Sequence, residues 1–179
     1  MKPQPLHPRS MKHICQVLLS LAVATPAFAS DAIEQRALFR IERSKNANVV
    51  QYDARVGPDG RFLRKNPVVV YWLRLAEDGR VQKLSWVQRA FAYGFEAELN
   101  EKRDQATMHM KAPIGRPVNV RCDPADCRAT TQIDGSPAYL NRIFIHSLGK
   151  GLDTEVDFLE LYGEDVNGGG ERYERIEPD

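Results

Sequence analysis

The chain has 179 residues, 42% of them hydrophobic, and carries 25 basic against 24 acidic side chains. This length suits one domain, because domains cluster at about 100–150 residues. This charge balance argues against a nucleic-acid partner, because nucleic-acid-binding proteins use a basic field.

Residues 1–29 are predicted to form a secretory signal peptide. Lys12 and His13 supply a basic start, an apolar run follows over 14–24, and an Ala-Phe-Ala triplet ends the segment as a cleavage site. The apolar run is shorter than the roughly 20 residues that cross a bilayer, so no stable membrane span is expected after cleavage. A retained membrane anchor is the alternative.

The remainder, 30–179, is predicted to be one β-rich domain that is exported to the periplasm or secreted. Residues 1–10 add nothing to a signal, so Met11 is a second possible start. Three of the basic residues leave with the signal, and the domain keeps 22 basic and 24 acidic side chains.

The first predicted elements are two strands around a polar tip at 44–48. Period-2 alternation puts Phe39, Ile41 and Arg43 on one face of the first strand, so Arg43 points with the core face unless a bulge intervenes. A guanidinium aimed inward needs a partner. We expect either a structural carboxylate, such as Asp53 or Glu96, or an anionic ligand.

The second predicted strand turns Val50, Tyr52, Ala54 and Val56 to one face. The stretch 67–75 is apolar on both faces, which predicts a central strand covered on both sides.

One short helix is predicted near 86–93. Ser85 and Gln88 have the spacing of a capping box, and Gly94 is expected to end the helix in a left-handed conformation. The aromatic side chains around it, Trp86 and Phe91 included, are expected to pack in the core or to line a ligand pocket.

The rest of the chain again alternates with period 2. Strands are predicted over 106–111, 116–122, 128–134, 138–147 and 154–163, with a further strand near 172–177. The fold class is therefore mainly β, with eight to nine short strands. They form either an antiparallel barrel, closed or partly open in the manner of a lipocalin, or a sandwich.

Two cysteines remain after signal removal, and in an exported protein they predict one disulfide, Cys122–Cys127. Four residues separate them, whereas redox pairs usually have two, so a structural staple is expected. His109 and His146 match no zinc-finger spacing, and we expect no metal and no cofactor.

No stretch of the sequence has a catalytic signature. It lacks a G-x-S-x-G elbow, a phosphate loop and an H-E-x-x-H motif, so no catalytic residue is assigned and a non-enzyme is favoured. Carboxylates in the C-terminal half are expected to lie on a solvated strand face.

A ligand site is instead predicted from polar groups at the first hairpin and from aromatic side chains that have one polar handle. Its candidate residues are Arg43, Lys45, Asn46, Tyr52, Tyr71, Trp72 and Tyr93.

The chain resembles a family of exported bacterial proteins catalogued as domain of unknown function 4833. The resemblance covers about Leu38 to Glu177 and is carried by the segments LFRIERSKNANVVQYDA, PVVVYWLRL, FAYGFEAEL, YLNRIFIHS and VDFLELYGED. It implies a single exported domain and says nothing about chemistry, because the family has no assigned activity.

The sequence therefore predicts a non-catalytic periplasmic β domain that binds a small ligand or acts as a scaffold. The alternative is an envelope module that contacts another protein. An enzyme of unfamiliar type is the third reading. Binding of a small ligand requires a concave pocket, whereas contact with another protein requires an exposed apolar patch.

Overall fold

The computed structural model describes residues 33–112, 114–149 and 155–177. The predicted signal peptide lies outside these residues. No helix within the described ranges is long and apolar enough to cross a membrane.

The described chain consists of eleven strands and one short helical segment. The helical segment is a single α-turn, α1 (Trp86–Gln88), which continues as a π-helical turn, Arg89–Tyr93. The strands are β1 (Glu34–Arg43), β2 (Asn46–Val56), β3 (Val68–Leu73), β4 (Val81–Lys83), β5 (Phe95–Leu99), β6 (Gln105–Met110), β7 (Val118–Cys122), β8 (Cys127–Ile133), β9 (Ser136–Leu148), β10 (Glu155–Asp165) and β11 (Glu171–Ile176).

Nine of the strands form one curled half-barrel in the order β4-β3-β2-β1-β9-β8-β7-β6-β5. The long strand β9 joins its two halves, because its first residues pair with β8 and its later residues pair with β1. The other edge of β9 pairs with β10, and β10 pairs with β11. The β1–β9 pair is parallel, and the other strand pairs of the described chain are antiparallel. The predicted mainly β, barrel-like fold is confirmed in its partly open form.

The core fills the interior of the half-barrel. The predicted inward face of β2, which carries Val50, Tyr52, Ala54 and Val56, is fully buried. The Tyr52 ring stacks on Phe39 from β1 with their centroids 4.6 Å apart. Full burial of a side chain as large as valine or phenylalanine stabilises a fold by about 1.5–3 kcal/mol. Apolar burial is therefore the main contribution that holds the curl of the sheet.

The predicted disulfide is present between Cys122 and Cys127. The two cysteines face each other as the last pair of the β7–β8 ladder, and both side chains are buried. The disulfide therefore closes the base of a hairpin turn.

Two strands exceed the predicted number. β4 has only three residues, all exposed, which is too short for a periodic pattern. β5 does alternate, with Phe95, Ala97 and Leu99 on one side and glutamates on the other, so its period-2 signal was available in the sequence.

The prediction that 67–75 forms a central, doubly covered strand is wrong. β3 is second from the edge of the sheet, and only Val68 and Trp72 are buried within it. Its apolar, β-branched run supplies strand propensity at a half-exposed position.

The capping box and the end of the helical segment at Gly94 are confirmed, whereas the expected left-handed conformation of Gly94 is wrong. Ser85 Oγ accepts from the Gln88 N–H and the Gln88 side chain accepts from the Ser85 N–H. Gly94 has φ −70°, outside the left-handed region. Glycine is required there because a Cβ would lie 1.8 Å from the carbonyl oxygen of Arg89.

Candidate functional site

A cleft of about 370 Å³ lies between the tip of the β1–β2 hairpin, the end of β3, β4 and α1. Three of its lining residues are basic and, among the described residues, none is acidic. It is lined by Arg43, Asn46, Trp72, Arg74, Gln82, Lys83, Leu84, Ser85 and Gln88. The cleft is therefore polar, positively charged and built from four separate elements.

Arg43 is the last residue of β1, where the pairing with β2 shifts register between Ile41 and Arg43 while the pairing with β9 continues without a break. Arg43 therefore keeps the face that alternation assigns to it, and at the end of the strand this face opens into the cleft. Ile41 is fully buried, whereas Arg43 is only half-buried. The Arg43 guanidinium donates to the Tyr93 hydroxyl at 2.9 Å, so its contact on the protein is a neutral group.

The two carboxylates proposed as partners of Arg43 bond to other residues. Asp53 accepts hydrogen bonds from Gln51 and Tyr71, and Glu96 accepts one from Lys111. The prediction of either as the structural partner is wrong. The positive charge of Arg43 is not neutralised by them and remains at the cleft.

Tyr93 and Tyr52 support the cleft from behind. The Tyr93 ring meets Trp72 edge-on at 5.5 Å, and the Tyr52 hydroxyl donates to the Tyr93 carbonyl at 2.7 Å. Burial raises the pKa of the Tyr93 hydroxyl, although Arg43 acts in the opposite direction. Burial also raises the pKa of Tyr52 well above its ordinary value. Both hydroxyls are therefore neutral near pH 7.

Gln88 connects the helix to the cleft. Its amide oxygen accepts from the Trp72 indole N–H at 3.2 Å and from the Ser85 backbone N–H at 2.9 Å. Both bonds use the oxygen, so the amide nitrogen is the atom that Gln88 can offer to a ligand as a donor. The capping residue thus fixes one wall of the cleft as well as starting the helix.

Arg74 and Lys83 supply the other two positive charges. Arg74 directly follows β3 and pairs with Glu77, which also accepts from Arg80 at 2.9 Å. The buried Nε of Arg74 has no hydrogen-bond partner among the described residues. Lys83 is exposed at the end of β4. Glu77 and Asp78 together balance Arg74 and Arg80, so the excess positive charge at the cleft comes from Arg43 and Lys83.

Five of the seven predicted site residues come together here. Arg43, Asn46 and Trp72 line the cleft, with Tyr52 and Tyr93 behind them. Lys45 lies outside, and its ammonium donates to the Gly149 carbonyl at 2.5 Å. Tyr71 also lies outside and donates to Asp53 at 2.5 Å, and burial together with this bond raises its pKa.

Sequence reasoning missed most of the wall opposite the hairpin. Gln82 and Lys83 belong to β4, a short edge strand without a periodic pattern, and Arg74 follows β3, so nothing local marks them. Gln88 was identified only as a capping residue. Its second bond, to Trp72, depends on where the helix packs.

The remaining candidates for catalysis or metal binding lie apart. His109 is on β6 and His146 on β9, with β7 and β8 between them. His146 Nδ1 and Asp157 Oδ2 are 3.0 Å apart on the β9–β10 pair, and both side chains are at least a third exposed. No group of three or more metal-ligating side chains occurs within the described ranges.

A family model described as a domain of unknown function, DUF4833, matches residues 39–175 of this chain. No curated protein and no solved structure matches it.

Proposed function

The chain belongs to the DUF4833 family, and we propose that it is a non-catalytic β domain that binds a small anionic ligand in the cleft at Arg43. The observation that supports this most is the charge of the lining, with Arg43, Arg74 and Lys83 facing one space and no described acidic side chain among them. Glu77 balances Arg74 from outside the cleft, whereas Arg43 bonds a neutral hydroxyl and Lys83 is exposed, so an anionic occupant is the expected complement of these two charges.

The polar groups of the cleft suit a carboxylate or phosphate group on a small molecule. Guanidinium groups bind both anions with paired, charge-assisted hydrogen bonds. The amides of Asn46, Gln82 and Gln88 and the Ser85 hydroxyl add neutral donors. The cleft volume of about 370 Å³ is at the lower end of the roughly 300–1,000 Å³ of ligand pockets, so the ligand is small.

We further propose that the protein acts after export, in the periplasm or outside the cell. The signal-like start of the sequence supports this location. The Cys122–Cys127 disulfide supports it too, because such bonds persist in oxidising compartments.

The alternative function, contact with another envelope component, requires an exposed apolar patch. Trp86 and Phe91 are 76% and 74% exposed, so the expectation that they pack in the core is wrong and such a patch exists. It adjoins the cleft without lining it.

The test is titration of the protein with inorganic phosphate, with binding measured by calorimetry in a phosphate-free, low-salt buffer. A charged hydrogen bond contributes about 1.5–3 kcal/mol. Arg43→Ala and Lys83→Gln should therefore each weaken phosphate binding by at least about 10-fold. Lys45→Gln removes the same charge from the hairpin tip outside the cleft and serves as the matched control.

Two results would overturn the proposal. One is equal phosphate affinity for wild type, Arg43→Ala and Lys83→Gln. The other is an equal loss for Lys45→Gln, because that would indicate a response to overall charge.

A further inference from the structure

Large apolar side chains are exposed mainly in one short part of the described chain. Eight such residues are exposed, and five of them fall between positions 75 and 91. Within this group Trp86, Val87 and Phe91 are adjacent on α1 and the π-helical turn, at 76%, 46% and 74% exposure. We call these three residues the helix patch.

The surroundings of the helix patch are positively charged. Residues 79–95 contain three basic side chains and no acidic one; Arg80 pairs with Glu77 and Asp78, which leaves Lys83 and Arg89 as the charges of this segment. Lys83, which precedes the patch in sequence, and Arg89, which lies between Val87 and Phe91, are both exposed. The cleft shares Leu84, Ser85 and Gln88 with this segment, so its arginines add to the positive charge on the same side.

We propose that the helix patch docks the protein onto the surface of a lipid bilayer that contains anionic phospholipids. Trp and Phe side chains are favoured at the boundary between headgroups and acyl chains, where Trp keeps its N–H in contact with polar groups. Lys83 and Arg89 would contact the anionic headgroups, since basic side chains beside an inserted apolar face strengthen such binding.

The size and charge of the patch favour a lipid surface over a protein partner. A stable protein interface takes about 20–30 residues from each side. The helix patch offers three apolar side chains on fewer than two helical turns, with Leu75 and Val81 nearby. Shallow insertion needs only a few such side chains when cations surround them.

The two tryptophans of the chain make insertion directly measurable. Trp72 is 5% exposed, whereas Trp86 is 76% exposed. With vesicles of phosphatidylcholine and phosphatidylglycerol, Trp86 emission should shift to the blue and be quenched by brominated acyl chains. Trp86→Phe should bind the vesicles with little change but lose the quenching, because the buried Trp72 does not reach lipid. This readout reports the surroundings of residue 86 alone.

Affinity provides the second measurement. Trp86→Ser combined with Phe91→Ser should lower partitioning onto the anionic vesicles by at least ~10-fold. Arg89→Gln should lower it more weakly and only at low salt. Tyr173→Ser, which removes an exposed aromatic ring from β11, is the matched control and should bind as wild type does. None of these variants changes a cleft residue, so phosphate binding should persist in all of them.

Three outcomes would overturn the inference. The first is no quenching of Trp86 by brominated lipid. The second is equal partitioning of wild type and the double variant. The third is a doubled molecular mass in solution that disappears in the double variant, because it would assign the patch to a second copy of the chain.

Discussion

At the residue scale, Arg43 shows how a polar tip becomes part of a site. The hairpin positions it, the end of β1 leaves its side chain at the mouth of the half-barrel, and the neutral hydroxyl of Tyr93 holds it. A neutral partner orients a guanidinium without cancelling its charge. The residue is therefore retained in a conformation that suits an anion.

Arg43→Ala should lower the free energy of unfolding by only about 0.5–1.5 kcal/mol, the value of one ordinary hydrogen bond. Loss of one partner from a buried ion pair would cost about 3–5 kcal/mol. Urea denaturation in phosphate-free buffer measures the difference. Lys45→Ala, on the exposed tip, should change stability by less than about 0.5 kcal/mol. A loss of 3 kcal/mol or more for Arg43→Ala, on that same ion-pair scale, would show that the guanidinium closes a structural ion pair.

At the element scale, the helical segment depends on its two ends. The capping box begins it and also bonds Trp72 through Gln88. Gly94 ends it where the chain passes directly over the carbonyl of Arg89. The position of the helix patch beside the cleft follows from both contacts.

Gly94→Ala should destabilise the protein by about 2–3 kcal/mol, the upper part of the range for overpacking, because the new methyl group would meet main-chain atoms that cannot rotate away. Gly79→Ala is the comparison. Gly79 has φ +73° and nothing within 4 Å of an added Cβ, so it should cost about 1–2 kcal/mol from backbone strain alone. Denaturation midpoints of the two variants compare their losses of stability. A loss for Gly94→Ala that is equal to or smaller than the loss for Gly79→Ala would contradict the steric explanation.

The β7–β8 hairpin should survive loss of its disulfide. The closed loop is very short, so the bond is expected to contribute about 2 kcal/mol. Asp123 Oδ1 also accepts from the Ala125 and Asp126 N–H groups, and Arg36 donates to the Asp123 and Pro124 carbonyls.

Cys122→Ala combined with Cys127→Ala should therefore lower the melting temperature while retaining a cooperative transition and a β-type circular dichroism spectrum. Reduction of wild type by a phosphine gives an independent comparison that removes no side chain. Loss of the folded spectrum at 25 °C in either experiment would show that the disulfide is required for folding.

At the scale of the whole molecule, an ion pair joins the strand pair β10–β11, called the arm here, to the nine-strand half-barrel. Arg116, which precedes β7, donates two bonds to Glu174 of β11 at 2.7 and 2.8 Å. The Asp134 N–H, in the β8–β9 turn, donates to the same carboxylate at 2.7 Å. The partly open sheet is thus stabilised by contacts among the segment before β7, the β8–β9 turn and β11.

This contact should make stability depend on pH. The Arg116 bonds lower the pKa of Glu174 in the folded protein, despite partial burial. The stability that it contributes is therefore fully present above the ordinary pKa of about 4.5 and is lost as pH falls through the lower folded value. Glu174→Gln should cost about 1–2 kcal/mol at pH 7, less than a full charged bond because the group is partly exposed.

Urea titrations at several pH values test this, and the gap between wild type and Glu174→Gln should narrow below about pH 4. Glu96→Gln is the control. Its side chain is 75% exposed and pairs with Lys111, so its effect should stay below about 0.5 kcal/mol at every pH. A gap that is constant with pH would show that the carboxylate charge is not what stabilises the arm.

The sequence by itself determined the features that neighbouring residues control. The alternation in β1 and β2, the Ser85–Gln88 capping box, the cysteine pair and a mainly β fold all follow from short-range geometry. The candidate residues on the first hairpin and at Trp72 were also identifiable, because polar tips and aromatic side chains carry local signals.

Only the tertiary structure decided which distant residues meet. The parallel pairing of β1 with β9, the position of Arg74 and Lys83 opposite Arg43, and the exposure of Trp86 and Phe91 depend on how the sheet curls. Curling brings together segments that have no contact along the chain, and it decides which aromatic rings find room in the core. Local patterns specify which face of a strand is apolar, whereas the closure of the sheet specifies what each face meets.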